Sequence, residues 1–319
     1  EIPPKFAGRK PVGPLPKGEQ EPDAFAEWPG AKGLAEDVRR YGLWMREKAK
    51  ERIGHLYPEV EITAEMAAKR ADLKTYVGRK LTVIAWLWAR TVKSPNPQFG
   101  DIDVPLVSSY VLSAKKGKEA WVEPIIEGRD YRFEVRTGQP PQGAEDGNKH
   151  RLSRSSVAFD CIFSNTPISG DYIKDEGQAG RMGSRLMAIV CEGDRGRVYL
   201  SPLAAHETLA KTVRNEFGGT IWHPEGKLPA RRITGGTCVP YGLDEWWKLF
   251  TDRQLIALDT FSGLVQEARQ KAIEDARTKG LDDDGRGLEA GGCGATAYGD
   301  AIAVYLAFSI DRATDFNNA

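Results

Sequence analysis

The sequence is short of cysteine, of charge of one sign, of long apolar runs and of every compact catalytic signature. Its 319 residues contain four cysteines, Cys161, Cys191, Cys238 and Cys293, none in a CxxC or CxxxxC spacing. That excludes a disulfide framework and points to reduced thiols in a cytoplasmic protein. No run approaches the roughly 18 apolar residues of a membrane span, so no membrane partner is expected. The longest apolar stretch, around 83–89, is closed by Arg90. There is no internal repeat. The chain opens on Glu1 and a Pro-rich arm, with no signal-peptide pattern. Lacking an initiator Met, and ending at Ala319 directly after an apolar helix pattern, it reads as a piece of something longer.

Lys+Arg and Asp+Glu number 45 each, so a domain-wide basic footprint of the kind a stand-alone nucleic-acid binder carries is also missing. The charge is uneven along the chain: net +5 over 1–100, +1 over 101–232 and −6 over 233–319. Any DNA role therefore rests on local patches or on segments outside this sequence. A basic N-terminal part packing against an acidic C-terminal part is the alternative meaning of that gradient. With 40% hydrophobic and 28% charged residues the chain is foldable, which excludes wholesale disorder.

Catalytic patterns are equally scarce. There is no GxSxG elbow, and His55, His150, His206 and His223 have no ligand spacing. His206, beside Glu207 in a helical stretch, reads as a surface histidine. Gly291-Gly292-Cys293-Gly294 precedes a helix but follows an acidic loop rather than a strand, which is a poor setting for a phosphate-cradling loop. Asn96-Pro97-Gln98-Phe99 loosely fits the (Asp/Asn/Ser)-Pro-Pro-aromatic turn that holds an exocyclic amine. A plain proline turn is the better reading.

The patterns that are present give an α+β class: N-terminal helices, a small antiparallel β region and long C-terminal helices. Leu34, Val38, Tyr41, Met45, Ala49 and Ile53 recur every three or four residues, one face of a six-turn helix. A short helix is expected over 64–76. Val83, Ile84, Trp86, Trp88 and Val92 predict a strand over 81–92 buried on both faces, with helix as the alternative. Further strands are expected at 106–112, 120–126 and 131–135. A polar, mobile loop is expected at 138–156, and a hairpin around Gly193-Asp194-Arg195-Gly196. Ser201-Pro202 reads as the cap of a helix running to about 217. Long helices follow at 251–279 and 297–316, joined by a flexible loop at 282–294. Three segments result: 1–80, arm and helices; 81–202, β-rich insert; 203–319, helical region.

Longer strings carry a resemblance. They begin with Trp88-Ala89-Arg90-Thr91-Val92-Lys93-Ser94-Pro95-Asn96-Pro97, continued by Pro105-Leu106-Val107 and Lys115-Lys116-Gly117-Lys118. Asp171-Tyr172-Ile173-Lys174-Asp175-Glu176-Gly177 runs into Ala179-Gly180-Arg181-Met182-Gly183 and on to Gly196-Arg197-Val198-Tyr199-Leu200-Ser201-Pro202. Tyr298-Gly299-Asp300-Ala301 and Tyr305-Leu306-Ala307-Phe308 come near the end. Together these resemble the central part of the adenine-specific DNA methylases that contain a zinc-ribbon insertion and accompany anti-phage defence and restriction-modification systems. The resemblance covers about 33–319.

The resemblance implies a full-length S-adenosylmethionine-dependent N6-adenine DNA methyltransferase. Its glycine-rich cofactor loop would precede this region, and its Asp-Pro-Pro-Tyr turn would follow. This chain would hold no catalytic residue, and S-adenosylmethionine would belong to the full-length protein. The family's knuckle cysteines would match Ser94, Phe99, Cys161 and Ser164. Only Cys161 is a thiol, so the ribbon is degenerate, no zinc is expected and Asn96–Phe99 falls in the first knuckle. DNA, the remainder of the methylase chain and other defence-system subunits are the expected partners. Lys115, Lys116, Lys118, Lys149, Arg151 and Arg154 are loop cations suited to phosphates. Arg181 and Arg185 join them as DNA-facing candidates, with pairing to Asp171 or Glu176 as the other role. The alternative function is a metal-free scaffold or protein-interaction module of a phage-defence complex.

Overall fold

Periods of 3.6 and 2.0 residues succeed one another along the chain, and each finds its element. The computed structural model describes residues 2–20, 22, 23, 25–151, 157–231 and 233–316. From the N-terminus run α1 (Ile2–Lys5), α2 (Lys32–Ile53), β1 (Val60–Glu61), α3 (Ala64–Lys69), β2 (Lys80–Leu81), β3 (Val83–Lys93) and β4 (Asp103–Leu106). The middle holds β5 (Val111–Ser113), β6 (Ala120–Glu127), β7 (Asp130–Thr137), β8 (Lys149–Arg151), β9 (Val157–Asp160), β10 (Pro167–Ile168), α4 (Gly170–Gln178), β11 (Gly183–Gly193) and β12 (Gly196–Leu200). Helices α5 (Ala204–Glu216), α6 (Ile233–Cys238), α7 (Asp252–Thr278) and α8 (Ala295–Phe316) follow. The class is α+β, with N-terminal helices, small antiparallel sheets and long C-terminal helices. No helix among the described residues is long and apolar enough to cross a membrane.

Two compact units emerge. One comprises Glu1–Leu56, Arg214–Pro224 and Leu249–Ala319; the other Tyr57–Val213 and Glu225–Lys248. The boundary at 213/214 falls inside α5.

The first unit is helical. The apolar stripe of α2 buries Leu34, Tyr41, Met45 and Ala49 against α7 and α8, and Ile53 is buried at its end. Small residues let α7 and α8 approach closely: Ala268, Ala272 and Ala276 on one, Ala297 and Ala301 on the other, all buried. A Cβ on Gly299 would stand 2.5 Å from Ile273 Cγ1, so only glycine fits there. Thr251 and Gln254 close a reciprocal capping box at the start of α7. The N-terminal arm is tied down by a fully buried carboxylate. Asp37 accepts from the Val12 and Gly13 amides and from the Tyr298 hydroxyl at 2.7–3.0 Å.

The loop at 282–294 is not the flexible connection its glycines and acids suggested. Asp283 accepts from the Thr296 amide and hydroxyl, the Gly285 amide and Arg277. These contacts hold its carboxyl well below the usual range, the Thr296 amide foremost and then Arg277. A Cβ on Gly292 would meet the Arg286 carbonyl at 2.1 Å, and one on Gly294 the Asp282 carbonyl at 2.7 Å. The glycine run thus closes its own loop against backbone.

The second unit is built on an antiparallel four-stranded sheet of order β12-β11-β3-β4. One face packs Leu186, Ile189 and Cys191, with Trp86 and Trp88, against Val60, Ile62, Leu73 and Tyr76. The other face sets Ala89 and Ala188 against Val122, Tyr131, Phe133 and Val135 of the three-stranded sheet β5-β6-β7. Strand β3 therefore carries core on both sides, as its composition predicted, although Ile84 near its start is exposed. Arg70 donates to the carbonyls of Val135 in β7 and Tyr199 in β12, tying the two sheets together.

Other expectations are corrected. The stretch 106–112 is not one strand: β4 ends at Leu106 and β5 begins at Val111. The helix expected over 64–76 stops at Lys69 and continues as 3₁₀ turns over Ala71–Tyr76. Ser201 does not cap α5. Its hydroxyl accepts from the Val135 amide at 2.9 Å, and the helix starts at Ala204. His206 is buried, and its Nδ1 accepts from Trp86 Nε1 at 2.9 Å. In 138–156, Asn148 accepts from the Val107 amide and donates to the Pro105 and Asp160 carbonyls, so that part is anchored.

Candidate nucleic-acid interface

The lysine turn follows β5. Gly117, at φ +76°, allows the tight reversal between Lys116 and Lys118. A second turn, Asp194-Arg195 between Gly193 and Gly196, joins β11 to β12. Gly196 sits at φ +122°. Lys118 Nζ donates to the Arg195 carbonyl and so links the two tips. The hairpin tip is held from its other side too. Arg79 forms a two-pronged ion pair with Asp194 at 2.7 and 2.8 Å, and Tyr76 Oη accepts from the Asp194 amide.

Lys115, Lys116 and Arg195 are exposed and have no carboxylate within ion-pair distance among the described residues. Arg195 is a cation that sequence reasoning missed. Its turn was visible in the sequence, but nothing local shows that this turn meets the lysine turn.

The other candidates sit on other elements. Lys149 is exposed on β8 and carries no ion pair among the described residues. Arg151 pairs through its backbone with Val157 in the β8–β9 ladder. Arg154 lies outside the described residues. Arg181 is bound to the buried Glu176 at 2.6 Å, one of the two partners expected from sequence. Arg185 reaches Asp130 and the Tyr131 carbonyl and lies 4.9 Å over the Tyr131 ring. Both arginines thus hold structure, and their charge is partly neutralised.

The positions matched to the zinc knuckles come together. Ser94 Oγ lies 3.4 Å from Cys161 Sγ, and both residues are buried. Asn96 Nδ2 donates to Thr166 Oγ1, which also accepts from Ser164 Oγ. Asn165 takes the left-handed conformation, φ +54°, that tightens the second turn. Phe99 stacks on Phe163 with ring centroids 5.7 Å apart and lies under the Arg129 guanidinium. Burial pushes the Cys161 thiol up. Hydrogen bonds from Ser164, Ser94 and two backbone amides outweigh it and leave the thiol below its ordinary value.

Tetrahedral structural zinc needs four Cys or His donors. One thiol, two hydroxyls and a phenyl ring do not fit the ion. No cluster of three or more His, Cys, Asp or Glu side chains that would hold a metal occurs among the described residues.

No family model, curated protein or solved structure matches this chain.

Proposed function

We propose that this chain is the central, non-catalytic part of an S-adenosylmethionine-dependent N6-adenine DNA methyltransferase. In that role it supports DNA binding and packs beside the catalytic part of the protein. One observation carries the reading: two turns more than sixty residues apart, at 94–99 and 161–166, face each other as two knuckles would, with hydroxyls and stacked rings where thiols and metal would stand. The linked lysine and hairpin tips supply the DNA contact. Their cations stand on turns and lack the fixed geometry needed to read base edges, so they meet phosphates. Lys118 is engaged with the Arg195 carbonyl, which leaves Lys115, Lys116 and Arg195 as the principal contacts.

The test is duplex affinity against salt for the parent and a Lys115→Ala, Lys116→Ala, Lys118→Ala variant. The expected binding is weak and nearly indifferent to sequence. The slope of log affinity against log salt falls by about two, and by up to three if Lys118 also reaches phosphate. The melt moves by less than about half a kcal/mol, because exposed turn lysines contribute little. An unchanged slope with an unchanged melt removes the DNA role and leaves the scaffold module in its place.

A further inference from the structure

A cleft of about 570 Å³ opens within the second unit. Its floor is the sheet at Arg90 and Leu106, paired across β3 and β4. Its walls are Phe159, α4 with the turn that follows it, and the segment from Thr237 to Lys248. Two glycines set one wall. A Cβ on Gly177 would stand 2.5 Å from the Tyr241 carbonyl, and one on Gly242, at φ +81°, 2.1 Å from the Gly177 carbonyl. Gln178 Nε2 bonds the Pro240 carbonyl beside them. Backbone lies on backbone there, which fixes α4 against the 239–242 turn.

The lining has a definite chemistry. It offers three aromatic rings, Phe159, Tyr241 and Trp247, with Leu106, Ile173 and Met182 as apolar surface. Among the described residues that line it, two are cationic and none is acidic. Lys248 is already engaged, 2.6 Å from Asp244. Arg90 is not: it is exposed and makes no ion pair or side-chain hydrogen bond among the described residues. Along β3, Arg90 shares its face with Trp86 and Trp88 on one side and Val92 on the other. The first two pack into one core cluster and Val92 into another. The guanidinium thus stands where apolar packing is interrupted.

A guanidinium binds phosphate or carboxylate with two parallel N–H donors. Aromatic walls select a flat ring, since a base stacks on them. The volume falls in the usual range for a small-molecule site, roughly 300–1,000 Å³. We infer that this cleft binds a small anion with a flat aromatic ring, a nucleoside monophosphate in size and chemistry, with Arg90 on the phosphate and the ring against the Tyr241 and Trp247 wall. The site is separate from the lysine and hairpin tips and does not depend on the DNA reading.

Two sources offer that chemistry: a free nucleotide, and the phosphorylated end of a nucleic-acid strand. The experiment titrates the whole chain with adenosine 5′-monophosphate and cytidine 5′-monophosphate by calorimetry. Adenosine and inorganic phosphate serve as half-ligands, and a 5′-phosphorylated tetranucleotide represents a strand end. At least one monophosphate, or the tetranucleotide, binds at least tenfold more tightly than either half-ligand. Arg90→Gln weakens that binding about tenfold or more, with an unchanged melt, since the Arg90 side chain makes no ion pair or hydrogen bond among the described residues. Trp247→Ala weakens it as well. Tighter binding of the tetranucleotide assigns the strand end as the source; tighter binding of the monophosphates assigns the free nucleotide. The inference falls if no monophosphate or tetranucleotide binds below millimolar, or if binding is indifferent to both substitutions.

Discussion

The helical and the β-rich units hold their irregular segments by opposite means. In the helical unit the arm is fixed by a buried acid, Asp37, whose oxygens satisfy two backbone amides and a tyrosine. In the β-rich unit two facing turns are fixed by hydroxyls, a thiol and stacked rings, with no buried charge between them. A buried carboxylate gives strong direction at a high desolvation cost. Neutral hydrogen bonds and ring stacking give less direction but tolerate replacement. The first arrangement fails sharply when one atom is lost; the second tolerates replacement of a single member.

The strongest way to break this comparison is Asp37→Ala. It leaves the Val12 and Gly13 amides and the Tyr298 hydroxyl without their buried acceptor, and the loss is about 3–5 kcal/mol. Hydrogen exchange read by mass spectrometry shows protection falling in α2, α7 and α8 while β3 and β11 keep theirs. Equal loss in both units would mean that they do not fail separately.

A middle-sized effect comes from introducing Ser94→Cys, Phe99→Cys and Ser164→Cys together. Without metal, the triple variant loses the Phe99–Phe163 stack and the Arg129 contact, about 1–2 kcal/mol. With zinc it recovers that loss and holds about one ion per chain, because four thiols supply the tetrahedral set. The expected result of elemental analysis on the parent is no stoichiometric zinc. A parent holding one ion per chain, or a triple variant holding none, would show that the two turns are not knuckle-like.

The smallest effect sharpens the contrast within α2 itself. Arg39 bonds Glu36 and holds its carboxyl at about 2 against an ordinary 4.5; partial burial opposes this and Arg40 adds to it. Next to it, burial pushes Asp37 up, although its amide and hydroxyl donors pull the other way. The signs differ accordingly. The contribution of Glu36 is present above its ordinary value and is lost as pH falls from about 4.5 toward about 2. For Asp37 the favourable protonated state prevails at low pH, and its contribution declines as pH rises through the raised value. Glu36→Gln lowers stability near pH 6 by about 1 kcal/mol after allowance for solvent screening. That gap closes by about pH 2 in acid melts; a gap that stays constant contradicts the Arg39 assignment.

Much of the fold was legible because it rests on local pattern. The stripe from Leu34 to Ile53, the long helix over 251–279 and the strands at 120–126 and 131–135 each declare themselves within a few residues. What was not legible depends on partners far away in sequence. Ser201 followed by Pro202 has every local mark of a helix start, yet an amide in β7 takes its hydroxyl. His206 reads as exposed until Trp86, 120 residues earlier, is placed against it. The acidic loop at 282–294 reads as loose because nothing local shows Asp283 reaching Thr296. At the candidate interface the lysine turn was plain, whereas its junction with Arg195 spans 77 residues and has no sequence mark. The cleft at Arg90 was invisible for the same reason: its walls come from five separate stretches of chain.

The seam between Gly177 and Gly242 has a consequence for anyone redesigning that cleft. A wall of bare backbone has no rotamers to repack, so its position cannot be adjusted by neighbouring side chains. Positions 177 and 242 are therefore fixed points in any library, where even one added methyl group pries α4 away from the 239–242 turn. Met182 and Leu243 line the same space and can be varied for size without moving the glycine seam. Specificity can be altered at those two positions while the aperture itself stays as the glycines set it.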